Sequence, residues 1–167
     1  MVKIYLTRHG ETIENSRGLF QGHAPGHLSD KGKEQAALLG ITLKDMTFDA
    51  MFCSDLQRCK DTAAIALGER VADLNYTHML RERDMGNFSG KEIKGAVLDD
   101  SVESTESMLE RAKTFLRFLD TEYAGKKVLV ISHGYFARII QSVIENVDYT
   151  TLHKLDNCEV REFVWSE

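Results

Sequence analysis

Apolar residues fall along this chain in two alternating kinds of run. Residues 2–6 (VKIYL) and 127–132 (KVLVIS) are short, β-branched stretches with few polar interruptions, as expected of strands buried on both faces of a parallel sheet. Three further stretches read as strands: 48–54 (FDAMFCS), 75–80 (NYTHML) and 160–165 (VREFVW), the last a candidate for the sheet edge. Between them the apolar positions recur at helical spacing. Ala36, Leu39, Gly40 and Leu43 follow a cap at Ser29 or Asp30, and Leu109, Ala112, Leu116, Leu119 and Tyr123 form a second stripe. Residues 56–67 and 135–146 predict two more helices, each directly after a strand. The alternation predicts an α/β fold, a three-layer α/β/α sandwich with helices on both faces of a mostly parallel central sheet.

Composition narrows this only slightly. With 167 residues, 43% hydrophobic and 28% charged, the chain can bury one continuous core. It shows no repeat, low-complexity tract or linker, so a single domain over 1–167 is expected. A net charge of −5 and the absence of a long Lys/Arg run argue against nucleic acid as a partner. No stretch approaches the roughly 20 apolar residues of a membrane span, and VKIYL is too short for the core of a signal peptide. Cys53, Cys59 and Cys158 form no CxxC pair and read as reduced thiols, so a cytoplasmic location without membrane association is expected. No pattern speaks to oligomeric state.

Chemistry enters at the strand ends. The first strand runs into Thr7, Arg8, His9 and Gly10, and the run 128–131 into Ser132, His133 and Gly134. Ligands of open α/β sheets sit outside the carboxyl ends of the strands, so both histidines should face one crevice. Gly10 and Gly134 suit that place, because a residue without Cβ lets its N–H approach a ligand closely. A single histidine after a strand is more often an ordinary turn residue than a catalytic one, and the repeat shifts that balance without deciding it. Charge shifts it further. The junction CSDLQRCKDTA (53–63) supplies Arg58, whose plain alternative is a surface ion pair with Asp55 or Asp61. A guanidinium offers a permanent planar fork for phosphate oxygens, so Arg8, Arg58, His9 and His133 together describe a phosphate pocket.

Neighbouring positive charge disfavours protonation of an imidazole. A neutral His9 could attack phosphorus with one ring nitrogen while the other donates to a backbone carbonyl. Arg8, Arg58 and His133 would then offset the charge on the equatorial oxygens. The leaving alkoxide needs a proton, for which LRERDMGNFSG (80–90) offers Glu82 and Asp84; chemistry alone does not choose between them.

In order along the chain, TRHGETIEN (7–15) with QG (21–22), SDLQRCKDTA (54–63), LRERDMGNFSG (80–90) and VLVISHG (128–134) resemble the histidine phosphatase superfamily, the phosphoglycerate mutase-like proteins. LDNCEV (155–160) is a weaker echo. The resemblance implies a phosphoglycerate mutase-like sandwich, a phosphohistidine intermediate, and no metal or other cofactor. Carried over by position, it implies His9 as nucleophile, Arg8, Arg58 and His133 as the phosphate pocket, and Glu82 rather than Asp84 as proton donor. Asn15, Gln21, Gly22 and Gly134 are implied as substrate-binding positions. VES (102–104) resembles a Gly-Glu-Ser segment that leads into a long helix. The chain departs from the pattern in HAPGHLSDKG (23–32), where Pro25 stands near a usual aspartate, and in Phe88, which replaces a usual tryptophan. His23 and His27 read as surface loop residues, with the entrance to the site as the alternative.

Mutases of this kind carry a long insertion after the proton-donor block and a tail that closes over the substrate, whereas here about a dozen residues separate Gly90 from Glu103. An open site admits water to a phosphoenzyme, so hydrolysis is expected over transfer. The expected function is a metal-independent phosphatase acting on small phosphate monoesters, with mutase-type phosphoryl transfer and protein phosphohistidine phosphatase as alternatives. Glu82 suits an alcohol leaving group, which needs protonation. Two other classes stand beside these. His9, His133 and Glu82 are zinc-ligand types, although Arg8 and Arg58 would repel a dication; the second is a catalytically silent phosphate-binding module.

Overall fold

The computed structural model describes residues 1–167. Five strands, β1 (Val2–Arg8), β2 (Ala50–Ser54), β3 (Leu74–Thr77), β4 (Lys127–Ser132) and β5 (Val160–Trp165), form one sheet in the order β3-β2-β4-β1-β5. Every neighbouring pair is parallel except β1 with β5, so the expected edge strand is also the antiparallel one.

Successive side chains of a strand point to opposite faces, and the two predicted central strands are apolar on both. Val128 and Val130 of β4 pack with α4 (Thr105–Glu122) and α5 (Gly134–Glu145), while Leu129 and Ile131 pack with α2 (Asp30–Leu43) and α3 (Gln57–Leu67). The α/β/α layering follows from that alternation. Ser29 is the cap of α2, its Oγ accepting from Gly32 N at 3.0 Å. No helix is long and apolar enough to cross a membrane.

Two local expectations change. The strand predicted at 75–80 ends at Thr77, whose Oγ1 accepts from Met79 N at 3.2 Å and turns His78–Leu80 into a 3₁₀ turn. A short helix, α1 (Ile13–Ser16), appears after β1, closed by reciprocal bonds between Thr12 and Asn15.

Register positions the chemistry. Arg8 of β1 lies opposite Ser132 of β4, so His9 and His133 leave adjacent strands at the same level. His9 N continues the ladder by donating to Ser132 O at 3.1 Å.

Candidate active site

His9 and His133 meet edge to face, with ring centroids 5.2 Å apart. His9 is 2% exposed, and its Nδ1 lies 2.7 Å from Gly10 O. A carbonyl only accepts, so Nδ1 carries the hydrogen and Nε2 keeps its lone pair. Burial first, then Arg58 and Arg8, hold the His9 pKa well below the ordinary histidine value, so the ring is neutral. His133 is also held well below it, by burial and then by Arg58 and His9. It is fully buried, with Nε2 2.7 Å from Ser54 Oγ and 3.4 Å from Cys59 Sγ.

Three long-range contacts hold the start of this segment. Arg8 Nη1 donates to Leu155 O at 3.0 Å, Asn157 Nδ2 to His9 O at 2.9 Å, and Cys158 N to Arg8 O at 2.9 Å. LDNCEV is thus a clamp on Arg8 and His9. A Cβ on Gly134 would sit 2.9 Å from Arg8 Nε, so glycine lets this guanidinium lie against the start of α5.

Arg58 is 1% exposed and pairs with neither Asp55 nor Asp61. Asp55 is taken by Arg81 at 2.7 Å. Arg58 instead donates to two carbonyls, Gly22 O at 2.7 Å and Ala24 O at 2.9 Å. Gly22 reaches that place with a φ of 54°, in the left-handed region where glycine is favoured. The departing loop around Pro25 therefore seats Arg58, and from the same loop His23 Nε2 donates to Glu82 O at 2.9 Å. His27 is exposed. The Nε atoms of Arg8 and Arg58 are both buried without a hydrogen-bond partner. Two desolvated cations with spare donors call for an anion.

Glu82 lies across the start of α5. Its Oε2 accepts from Tyr135 N at 3.0 Å, and Oε1 accepts from Phe136 N and Arg83 N, both at 2.9 Å. The first N–H groups of a helix have no partner inside it, so Glu82 satisfies two of them and is held in one orientation. Behind it stands Arg111 of α4. Its Nη1 donates to Met79 O at 3.0 Å and Arg81 O at 2.6 Å, and its Nη2 pairs with Glu103 Oε2 at 2.9 Å. The guanidinium carbon lies 3.9 Å from the Phe136 ring centroid. Glu103 of the VES segment also accepts from Asp84 N at 3.1 Å, and Ser104 caps α4. Glu103→Ala, which strips Arg111 of its counter-charge, is expected to cost about 3 kcal/mol of stability, read from denaturant unfolding.

A cavity of about 320 Å³ collects most of these groups. Arg8, His9, Asn15, Gln21, Gly22, Arg58, Glu82 and Gly134 line it. His133 does not, since its ring is enclosed by His9, Ser54 and Cys59. Asp84 borders a neighbouring hollow with His23, which separates the two carboxylates that chemistry left equal. Unforeseen lining comes from Leu19, Phe20, Met85, Ile93, Leu98 and Tyr135, and from two cations, Arg83 and Lys154. Phe88 stands one layer back, edge to face with Phe20 at 6.3 Å.

Comparison with known proteins places the chain in a family. A family model described as "Histidine phosphatase superfamily (branch 1)" matches residues 4–167. The chain is 32% identical over 152 residues to "Probable phosphatase C1687.21" of Schizosaccharomyces pombe, spanning 84% of this chain and 72% of that protein. It is 28% identical over 161 residues to the adenosylcobalamin/alpha-ribazole phosphatase of Escherichia coli, spanning 86% and 79%. Among solved structures, Bacillus stearothermophilus YhfR superposes with a TM-score of 0.89 at 23% identity, covering 97% of this chain and 90% of that one, which bears on the fold. The chain therefore belongs to the histidine phosphatase superfamily, branch 1, and is a phosphatase of that family.

Proposed function

We propose that the protein hydrolyses small phosphate monoesters without a metal, through a phosphohistidine formed on His9. The carrying observation is a neutral imidazole, its Nδ1 bound to Gly10 O and its Nε2 free, in a cavity where Arg8 and Arg58 keep buried, unpartnered Nε–H groups. Residues 1–167 act in this reading as one catalytic domain.

Nε2 attacks phosphorus while the phosphorus–ester oxygen bond breaks. Arg8 and Arg58 offset the charge that spreads over the equatorial oxygens, and the open end of α5 at Gly134 adds favourable dipole. His133, which does not line the cavity, packs against the His9 ring with centroids 5.2 Å apart and so positions it. Glu82 gives its proton to the departing alkoxide; Oε2, with one N–H donor against two on Oε1, is the oxygen with room for that proton. A water then attacks phosphorus while the phosphorus–Nε2 bond breaks and Glu82 takes the water's proton, which leaves inorganic phosphate and restores His9. Asn15, Gln21 and Gly22 border the phosphate from the loop side.

The buried cations also separate this reading from a zinc site on His9, His133 and Glu82, because a dication would enter a pocket already positive. Under rapid quench, labelled substrate is expected to leave an acid-labile, base-stable phosphoryl group on the protein, with activity resistant to EDTA and sensitive to vanadate. Hydrolysis without such a label overturns the reading. Glu82→Gln is expected to slow alkyl esters by roughly 10²- to 10⁴-fold and to leave p-nitrophenyl phosphate much less affected, since nitrophenolate departs unprotonated. Equal losses on both substrates would remove Glu82 from the role of proton donor.

A further inference from the structure

We propose that His23 is a positioning residue for the reaction: its side chain fastens the loop that seats Arg58 to the segment that carries Glu82, and so sets the separation between the phosphate-binding guanidinium and the proton donor. This rests on the reading of Glu82 as that donor. Arg58 donates to the carbonyls of Gly22 and Ala24, the residues on either side of His23, at 2.7 and 2.9 Å. The ring between them donates from Nε2 to Glu82 O at 2.9 Å. Its Nδ1 is 3.8 Å from Asp84 Oδ2, beyond hydrogen-bond reach, so the Glu82 carbonyl receives the ring's one short bond.

The two sides of this tie are not equally secured. The loop has a hold of its own, in the two bonds from Arg58 and in a turn closed by Ala24 N, which donates to Gln21 O at 2.9 Å. Residues 81–85, by contrast, lie between the 3₁₀ turns His78–Leu80 and Gly86–Phe88 and belong to no strand or helix. With no ladder to fix it, this backbone depends on side chains. Arg111 takes the carbonyls of Met79 and Arg81 at 3.0 and 2.6 Å but stands 3.5 Å from that of Glu82, and Glu103 holds Asp84 N at 3.1 Å. Loop and segment touch where a Cβ on Gly22 would come within 2.8 Å of Met85 N, but such packing has little direction, and the bond from His23 fixes the register. Glu82 is therefore pinned at both ends, its carboxyl by Tyr135 N and Phe136 N and its carbonyl by His23. Without the ring, the carboxyl keeps its place on α5 while the backbone behind it slides relative to Arg58. A displacement of about 1 Å is enough to matter, because a proton passes only between atoms in hydrogen-bond reach.

The test measures kcat and KM for butyl phosphate and p-nitrophenyl phosphate on His23→Ala, His23→Gln, Glu82→Gln and the His23→Ala/Glu82→Gln double variant. His23→Ala is expected to lower kcat on butyl phosphate roughly ten- to a hundredfold, and to change KM for both esters and kcat on p-nitrophenyl phosphate by less than about threefold. His23→Gln, whose amide N–H can meet the same carbonyl, should restore most of the loss. In the Glu82→Gln background His23→Ala should cost nothing further on butyl phosphate, because the carboxyl that the ring positions is already gone. The His23 side chain is 32% exposed, which suits it to replacement, and His23→Phe, a ring without an N–H, repeats the test if alanine unfolds the loop. Equal losses on both substrates, losses that multiply in the double variant, or full activity in His23→Ala each overturn the inference. Glu82→Gln alone judges the reading beneath it: equal losses there remove the proton donor and this inference with it, whereas a selective loss there beside an unselective one in His23→Ala removes only the role of His23.

Discussion

His9→Ala is expected to lower turnover of p-nitrophenyl phosphate by on the order of 10⁴- to 10⁶-fold and to abolish the phosphoenzyme, the scale seen when a covalent nucleophile is removed from a working site. The physical basis is that no neighbour can substitute. His133 is the only other imidazole in contact, but it is fully buried, outside the cavity lining, and its Nε2 is engaged with Ser54 Oγ at 2.7 Å. Kinetics and alkaline-quench labelling should be measured on protein whose unfolding transition remains cooperative. Retention of a phosphoryl label in this variant would move the nucleophile elsewhere.

Acid should destabilise the folded protein steeply between pH 6 and pH 5. His9 and His133 have folded pKa values well below the ordinary histidine value, so in that window the unfolded chain binds two protons that the folded chain does not. Stability rises with pH wherever the unfolded state binds more protons, so it falls as pH drops. Each proton contributes about 1.4 kcal/mol per pH unit, or roughly 3 kcal/mol per unit for the pair once both titrate fully in the unfolded chain. Carboxylates are separable from this. Asp55, held below its ordinary value by its bond to Arg81, loses its contribution at lower pH. Denaturant unfolding at successive pH values checks the slope, and His9→Gln should remove about half of it. An unchanged slope in that variant would mean that the acid sensitivity arises elsewhere.

What could be read in advance was carried by residue type and spacing. The apolar runs at β1 and β4 announced central strands because a strand buried on both faces is apolar at nearly every inner position. Their shared ending put His9 and His133 at one level, and parallel register made that adjacency real. Arg8 and Arg58 were candidates because a guanidinium suits phosphate oxygens, but for Arg58 a surface ion pair with Asp55 or Asp61 was an equal alternative in the sequence, and the fold gives Asp55 to Arg81. Choosing Glu82 over Asp84 needed the family pattern, and their placement in different hollows supplies the geometric difference.

The remainder turned on partners without a sequence signature. Arg58 is held by the carbonyls of Gly22 and Ala24, Arg8 by that of Leu155, and Arg111 by those of Met79 and Arg81. Every residue has such a carbonyl, so no residue type betrays which one will be used. The same holds for the two N–H groups of α5 that orient Glu82. Local sequence determined the strands, the helices and the chemical inventory, because periodicity and side-chain chemistry are properties of short segments. Tertiary structure alone decided which imidazole faces the cavity and which is enclosed, and it alone brought His23 to the Glu82 carbonyl. Those outcomes depend on contacts between residues far apart in the chain, which only the closed fold creates.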